Sequence, residues 1–154
     1  MSDWPSLIVF IGLCAAAASA GAFFRPGEWY VRLRKPSWNP PNWVFAPVWS
    51  MLYVMIAVAG WLVWRKEGLG AAMLVYAAQL VLNFLWSVLF FGRKRPDLAL
   101  MDVITLWLSI VICILVFAPI SGWAVLLMLP YLAWVTFAGA LNLAILRLNS
   151  RRAG

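Results

Sequence analysis

The residues of this chain that could do chemistry are indole, phenol and amide side chains, and many of them fall in one stretch. Residues 35–53 read KPSWNPPNWVFAPVWSMLY, with four prolines and three tryptophans but no acidic residue. Because proline favours extended backbone and is tolerated only at the start of a helix, we expect a rigid extended segment that continues into a helix. Indole rings stack on flat molecules and donate one hydrogen bond. The stretch therefore predicts one wall and the lid of a site for a flat apolar ligand.

Two later apolar segments carry uncharged polar side chains at helical spacing. Gln79 and Asn83 are four residues apart, and Trp86 follows three residues later. An unpaired amide in hydrocarbon is costly, so both amides must face protein or ligand. In the last apolar segment, four residues fall close to one helix face: Tyr131, Trp134, Ala138 and Asn142. These faces predict further walls of the site, although hydrogen bonding and packing between helices would give the same pattern.

The chain lacks the side chains that most enzymes use. It has no histidine, and Cys14 and Cys113 both lie within apolar runs, without the spacing of metal ligands. No carboxylate pair is present either. We therefore do not expect ordinary acid–base or metal catalysis, and we expect neither a metal nor an obligatory cofactor.

The composition is that of an integral membrane protein. Of the 154 residues, 66% are hydrophobic and 11% are charged, whereas soluble domains have about 25% charged residues. The net charge of +7 would suggest nucleic acid as a partner of a soluble protein. Here the basic residues separate apolar runs, so membrane topology and anionic lipid headgroups explain them better. We expect no nucleic-acid partner.

Five apolar segments predict an all-α integral membrane protein, a bundle of five transmembrane helices forming a single domain over residues 1–154. Each segment is long enough to cross about 30 Å of hydrocarbon as a helix. The segments are Leu7–Phe24, Val44–Trp64, Ala71–Phe91, Leu98–Phe117 and Trp123–Leu146. Residues 25–42 form a long first loop, rich in proline and tryptophan, that is predicted to cover the bundle as a lid. A place for Trp38 in the aromatic belt at the headgroups is an equal alternative.

The distribution of Lys and Arg predicts the topology. Ten basic residues fall on one side of the membrane, and only Arg65 and Lys66 fall on the other. The ten are Arg25, Arg32, Arg34, Lys35, Arg93, Lys94, Arg95, Arg147, Arg151 and Arg152. By the positive-inside rule the N-terminus lies outside and the C-terminus in the cytoplasm. The rule need not apply to an outer membrane.

Two features bear on helix packing. Asp102 lies about one turn inside the fourth segment, near the Arg93–Arg95 cluster, and is predicted to pair with that cluster or to reach the interface rather than to relay protons. Small residues let helices approach closely in lipid. Those around the third segment could meet a partner helix, such as that of a second protomer: Gly68, Ala72, Ala77 and Ala78.

Three segments together resemble the translocator protein family, also called the TspO or tryptophan-rich sensory protein family and the peripheral-type benzodiazepine receptor. They are WNPPNWVFAPVWSMLY, AAQLVLNFLWSVLFF and PYLAWVTFAGALN, beginning at Trp38, Ala77 and Pro130. The resemblance covers nearly the whole chain and fits the bacterial branch best. It implies a homodimer that binds porphyrins such as protoporphyrin IX and haem, sterols, and isoquinoline or benzodiazepine drugs beneath the first loop. A bacterial inner membrane is then expected, with an outer membrane as the alternative.

The resemblance also implies the residues of the site. Carried over by motif, the ligand-binding residues are Trp38, Trp49, Tyr53, Asn83, Trp86, Trp134 and Ala138, to which the spacing in the last segment adds Tyr131. In the family, the equivalents of Trp49 and Asn83 donate hydrogen bonds to a ligand carbonyl. The equivalents of Trp49 and Trp134 are implicated in light-dependent breakdown of bound porphyrin.

One departure from the family concerns sterols. The sterol motif proposed for its C-terminal end needs a tyrosine, and residues 141–147 read LNLAILR, which makes a sterol ligand doubtful.

The predicted pocket and the resemblance together give the hypothesis of a membrane receptor, sensor or carrier of porphyrins that regulates tetrapyrrole handling or a stress response. The alternatives are a porphyrin-degrading enzyme that uses Trp49 and Trp134 in light, and a secondary transporter. Transport ranks lower because no internal repeat or mid-membrane charge is visible.

Overall fold

The computed structural model describes residues 4–24 and 27–150, apart from the side chain of Ala22. Five of its helices are long and apolar enough to cross a membrane, which confirms the predicted fold class. The elements are α1 (Trp4–Phe23), α2 (Glu28–Arg32), α3 (Asn42–Glu67), α4 (Ala71–Ser87) with a π-helical turn (Val88–Gly92), α5 (Pro96–Phe117) and α6 (Gly122–Ser150). Of the basic residues used to predict topology, Arg25, Arg151 and Arg152 lie outside the described residues.

The bundle is built on a buried apolar centre. α5 packs against α4 and α6, α1 packs against α3 and α4, and α3 packs against α6. Side chains at their contacts are fully buried, whereas many apolar side chains on the outer faces are exposed, as hydrocarbon solvent permits. The most buried residues of the centre include Leu52, Ile56, Leu106, Ile110 and Met128.

Most helices extend a few residues beyond the predicted apolar segments. α3 begins at Asn42 and continues through Arg65 and Lys66 to Glu67, because polar residues beyond the hydrocarbon can still form helix. Gly68 ends α3 with a positive φ of 66° and donates its N–H to the carbonyl of Trp64. The prediction that Gly68 belongs to a small helix face is therefore wrong.

The other small residues of that face divide between two environments. Ala72 is buried in the chain's own core, so it is not available to a second protomer as predicted. Ala77 and Ala78 are exposed on α4. The helix period explains the split, since positions five and six residues apart lie on different sides of a helix.

The first loop is not a continuous non-helical lid over 25–42, as predicted, because Glu28–Arg32 is helical. Glu28 and Arg32 form an ion pair of 3.1 Å at i,i+4 spacing. Between them Tyr30 is buried and meets Phe90 and Phe91 at ring-centroid distances of 6.3 and 5.6 Å. Trp29 adds a second contact with Phe90, at 5.8 Å, so two aromatic side chains tie this short helix to the bundle. Among the described residues of the first loop, Gly27 and residues 33–41 are non-helical.

The third transmembrane helix ends in a π-helical turn instead of continuing as α-helix to residue 91. A Cβ built on Gly92 would lie 2.7 Å from the ring of Phe24, so only glycine allows the end of this turn to approach the residue after α1. The wider turn presents Phe90 and Phe91 together beside the first loop.

Asp102 contradicts the prediction of pairing or snorkelling. Its side chain is 6% exposed, and neither carboxylate oxygen has a hydrogen-bond partner. Arg95 instead binds Asp97 through two contacts of 2.9 and 2.8 Å. Because Asp102 lies on a face of α5 that packs against its neighbours, its short side chain cannot reach the interface.

We expect Asp102→Asn to stabilise the protein by about 1–3 kcal/mol, because it removes a buried charged group without partners and conserves its shape. Thermal unfolding in detergent measures the change. Asp97→Asn is the matched control, since Asp97 is half exposed and paired; it should give no rise. Equal or lower stability of Asp102→Asn would contradict the prediction.

Close packing of α3 and α4 depends on Gly60. A Cβ at this position would lie 2.4 Å from the ring of Tyr76. Tyr76 is held in place because its hydroxyl donates to the carbonyl of Ile56 at 2.9 Å and its ring packs against Phe10 and Phe117.

Gly60→Ala should therefore destabilise the bundle by about 1–3 kcal/mol through overpacking. Gly12→Ala is the control, because nothing lies within 4 Å of a Cβ there and alanine favours helix over glycine. Unfolding midpoints of both variants in detergent test the expectation. A midpoint of Gly60→Ala equal to that of the wild type would refute it.

Candidate functional site

A cavity of about 370 Å³ lies beneath the first loop, between α1, α3, α4 and α6. Its walls are mainly aromatic and small apolar side chains, with a few polar groups among them. Such a volume and lining are typical of a binding site for a small molecule. The cavity is the candidate functional site.

Most of the predicted site residues line this cavity. Each helix contributes them at helical spacing, so one face of α3, one of α4 and one of α6 point inward. The predicted residues in the lining are Trp49, Tyr53, Asn83, Trp86, Trp134 and Ala138. Their role as ligand contacts remains a prediction.

Trp49 is the centre of the aromatic wall. It stacks on Tyr53 with centroids 5.5 Å apart and ring planes at 29°, the one-turn neighbour expected from the sequence. It also meets Trp134 of α6 edge-to-face, at 6.4 Å and 88°, and Phe45 contacts Trp134 at 5.9 Å. Contacts of this geometry stabilise aromatic clusters beyond simple burial, so the wall is preorganised.

Trp38 and Tyr131 are not in the cavity lining. Trp38 lies on the first loop, 47% exposed, and its ring meets Phe137 edge-to-face at 5.6 Å. Phe137 in turn contacts Trp134 at 5.3 Å, so Trp38 reaches the wall of the cavity through one intervening ring. Tyr131 is fully buried behind the wall.

The hydroxyl of Tyr131 joins the two amides of α4. Asn83 donates to it through Nδ2 at 2.9 Å, and it donates to Oε1 of Gln79 at 2.8 Å. The hydroxyl of Tyr53 donates to Oδ1 of Asn83 at 2.5 Å. The amides therefore make hydrogen bonds between helices, which is one of the two alternatives predicted from the sequence. Asn83 retains one N–H for the other alternative, a hydrogen bond to a ligand.

The free donors of the cavity include Trp49, which the resemblance implied as a donor, and Ser87, which was not among the predicted contacts. Within residues 4–24 and 27–150, the indole N–H of Trp49 and the hydroxyl of Ser87 make no hydrogen bond, and both side chains line the cavity. The indole N–H of Trp134 has no partner either but is fully buried. A ligand acceptor would thus meet Trp49 or Ser87 before Trp134.

Several lining residues were missed from the sequence. Phe90 stacks on Trp86 at 5.2 Å, a pair that the i,i+4 spacing could have revealed. Phe91 enters the lining through the π-helical turn, which no sequence signal predicted. Asn142, which the spacing of the last segment did place on the predicted face, also lines the cavity. It accepts the indole N–H of Trp86 at 3.0 Å and donates to the carbonyl of Pro96 at 2.9 Å, so it braces Trp86.

Basic residues lie on the first loop, next to the lining residue Tyr30. The ammonium of Lys35 lies 4.4 Å from the ring centre of Tyr30, a cation–π contact. Partial burial lowers the pKa of Lys35 and raises that of Tyr30. Arg32 and Arg34 are nearby in sequence and carry further positive charge.

Among the described residues, no group of three His, Cys, Asp or Glu side chains could hold a metal.

Fold and cavity together define a multi-pass membrane protein with a candidate small-molecule site inside its helix bundle. The chain belongs to the TspO/MBR family, whose sequence model matches residues 10–148. It is 43% identical to the tryptophan-rich sensory protein of Cereibacter sphaeroides, over 97% of this chain and 95% of that protein. It is 45% identical to the tryptophan-rich protein TspO of Chlorobaculum tepidum (94% and 96%) and 36% identical to the human translocator protein (95% and 91%). The resemblance noted in the sequence is thereby confirmed.

We expect Tyr131→Phe to destabilise the protein by about 1–3 kcal/mol, because it leaves Nδ2 of Asn83 and Oε1 of Gln79 buried without their partner. Tyr53→Phe is the matched control: its hydroxyl makes one partly buried hydrogen bond, to Oδ1 of Asn83, instead of two buried ones, and its loss should cost less. Denaturant or thermal unfolding in detergent compares the two. If Tyr53→Phe destabilises the protein more than Tyr131→Phe does, the prediction is wrong.

Proposed function

We propose that this protein is a membrane receptor, sensor or carrier that binds porphyrins such as protoporphyrin IX and haem, and other flat apolar ligands, in the cavity beneath the first loop. The observation that carries the proposal is the wall formed by Trp49, Tyr53 and Trp134, with a free indole N–H on Trp49. Flat rings gain stacking energy from such a wall, and the free donor would orient a ligand acceptor.

Charge supports the porphyrin class within this proposal. The lining contains no carboxylate or ammonium group, as suits an apolar macrocycle. The basic side chains of Arg32, Arg34 and Lys35 belong to the loop above it, where they would attract the carboxylates of porphyrin propionates. The same cavity would accept isoquinoline or benzodiazepine drugs. Control of tetrapyrrole handling or of a stress response is the role that we infer for such binding.

The setting that we propose is a homodimer in a bacterial inner membrane. The N-terminus would be outside and the loop side cytoplasmic, because most of the basic residues lie on that side. We assign direct ligand contact to Trp49, Tyr53, Asn83, Trp86, Trp134 and Ala138. Trp38 would act as part of the lid, and Tyr131 would position Asn83.

The test is quenching of tryptophan fluorescence by protoporphyrin IX in purified protein. The double variant Trp49→Phe, Trp134→Phe should weaken binding by roughly tenfold or more, because two indole contacts and one donor are lost. Trp123→Phe is the control, since Trp123 is 74% exposed and outside the cavity lining. If the double variant binds as tightly as Trp123→Phe, the proposal fails.

A further inference from the structure

Asn149 joins the end of α6 to the first loop. Its Oδ1 accepts the backbone N–H of Arg34 at 3.0 Å, and its Nδ2 donates to the carbonyl of the same residue at 3.0 Å. The Nδ2 group also donates to the carbonyl of Ile145, one turn earlier in α6, at 2.6 Å. One side chain thus satisfies both backbone groups of a residue 115 positions away, as a neighbouring strand would.

The loop that Asn149 holds is stiff. Residues 33–41 are non-helical and include three prolines, which restrict the backbone. Within them, the N–H of Asn39 donates to the carbonyl of Pro36 at 3.0 Å and closes a turn. A stiff segment moves as a unit, so a contact at one residue constrains its whole length.

The position of this segment connects it to the cavity. Tyr30, just before it, and Asn42, just after it, both line the cavity, and so does Ile145, to which Asn149 is also bonded. Displacement of the segment would therefore uncover the cavity between Tyr30 and Asn42. Besides Asn149, the contact that fixes its middle is that of Trp38 with Phe137.

The hydrogen bonds between Asn149 and Arg34 are weak enough to break when the first loop opens. Asn149 is half-buried at the end of its helix, where water can replace its partners, so each bond contributes modestly to the closed state. The anchor at Tyr30 differs, because it is buried against Phe90 and Phe91. Opening should therefore start at residues 33–41 and leave α2 in place.

We propose that Asn149 is a positioning residue that latches the first loop over the cavity, and that release of this latch sets the rate at which ligand leaves. The gating part rests on the proposed function, because it assumes that the cavity holds the ligand. The latch itself does not depend on the proposed function, because it consists of the hydrogen bonds between Asn149 and the loop. The two parts need separate measurements.

The latch is tested without ligand, by amide hydrogen exchange of the full chain in detergent. In Asn149→Ala the peptide containing Arg34 and Asn39 should exchange roughly tenfold faster than in the wild type. Asn149→Asp keeps an acceptor for the N–H of Arg34 but loses the donor, so its exchange rate should be intermediate. Ser150→Ala is the control, because the hydroxyl of Ser150 bonds only within the last turn of α6, and it should match the wild type. Unchanged exchange in Asn149→Ala overturns the latch.

Gating is tested with protoporphyrin IX as the probe, by stopped-flow recovery of tryptophan fluorescence. Dissociation from Asn149→Ala should be roughly tenfold faster than from the wild type and from Ser150→Ala. Faster amide exchange with unchanged dissociation would overturn gating by the loop and indicate exit past Ala46 and Ser50, two exposed lining residues of α3. A wild type that fails to bind the probe would overturn the proposed function together with gating, while the exchange data still decide the latch.

Discussion

The hydrogen bonds around Tyr131 are the interaction on which the site depends. In a bundle surrounded by hydrocarbon, water cannot satisfy a buried amide, so Gln79 and Asn83 need partners from the protein. Tyr131 supplies one hydroxyl to both, and Tyr53 closes the series at the cavity. This arrangement fixes α4 against α3 and α6 at the depth of the cavity. It also decides which way the amide of Asn83 points.

The aromatic wall is built on that frame. Trp49 and Tyr53 belong to α3 and Trp134 to α6, so their contacts exist only because the two helices are held together at this level. The walls are apolar and rigid, and the charges lie around the loop. A preorganised site of this kind loses little entropy when a rigid ligand binds. Binding at the cavity and control of access by the loop can then be separate properties of the protein.

Much of this could be predicted from the residues. Hydropathy and length identified five membrane helices, and helical spacing grouped most of the cavity residues correctly by face. What failed were features that depend on neighbours. The helix Glu28–Arg32 forms around Tyr30, whose burial site belongs to Phe90 and Phe91. Asp102 lacks the predicted partner because its face of α5 is buried against neighbouring helices, while Arg95 binds Asp97.

By itself the sequence determined the class of the protein. Its apolar segments and few charges require a membrane, and its tryptophan motifs indicate the family. Only the tertiary structure decided how polar groups pair, with Asn83 held by two tyrosines and Trp49 left with a free N–H. It also decided that Asn149 holds the first loop. The physical reason is that spacing along a helix defines which side chains share a face, but not which groups stand opposite them.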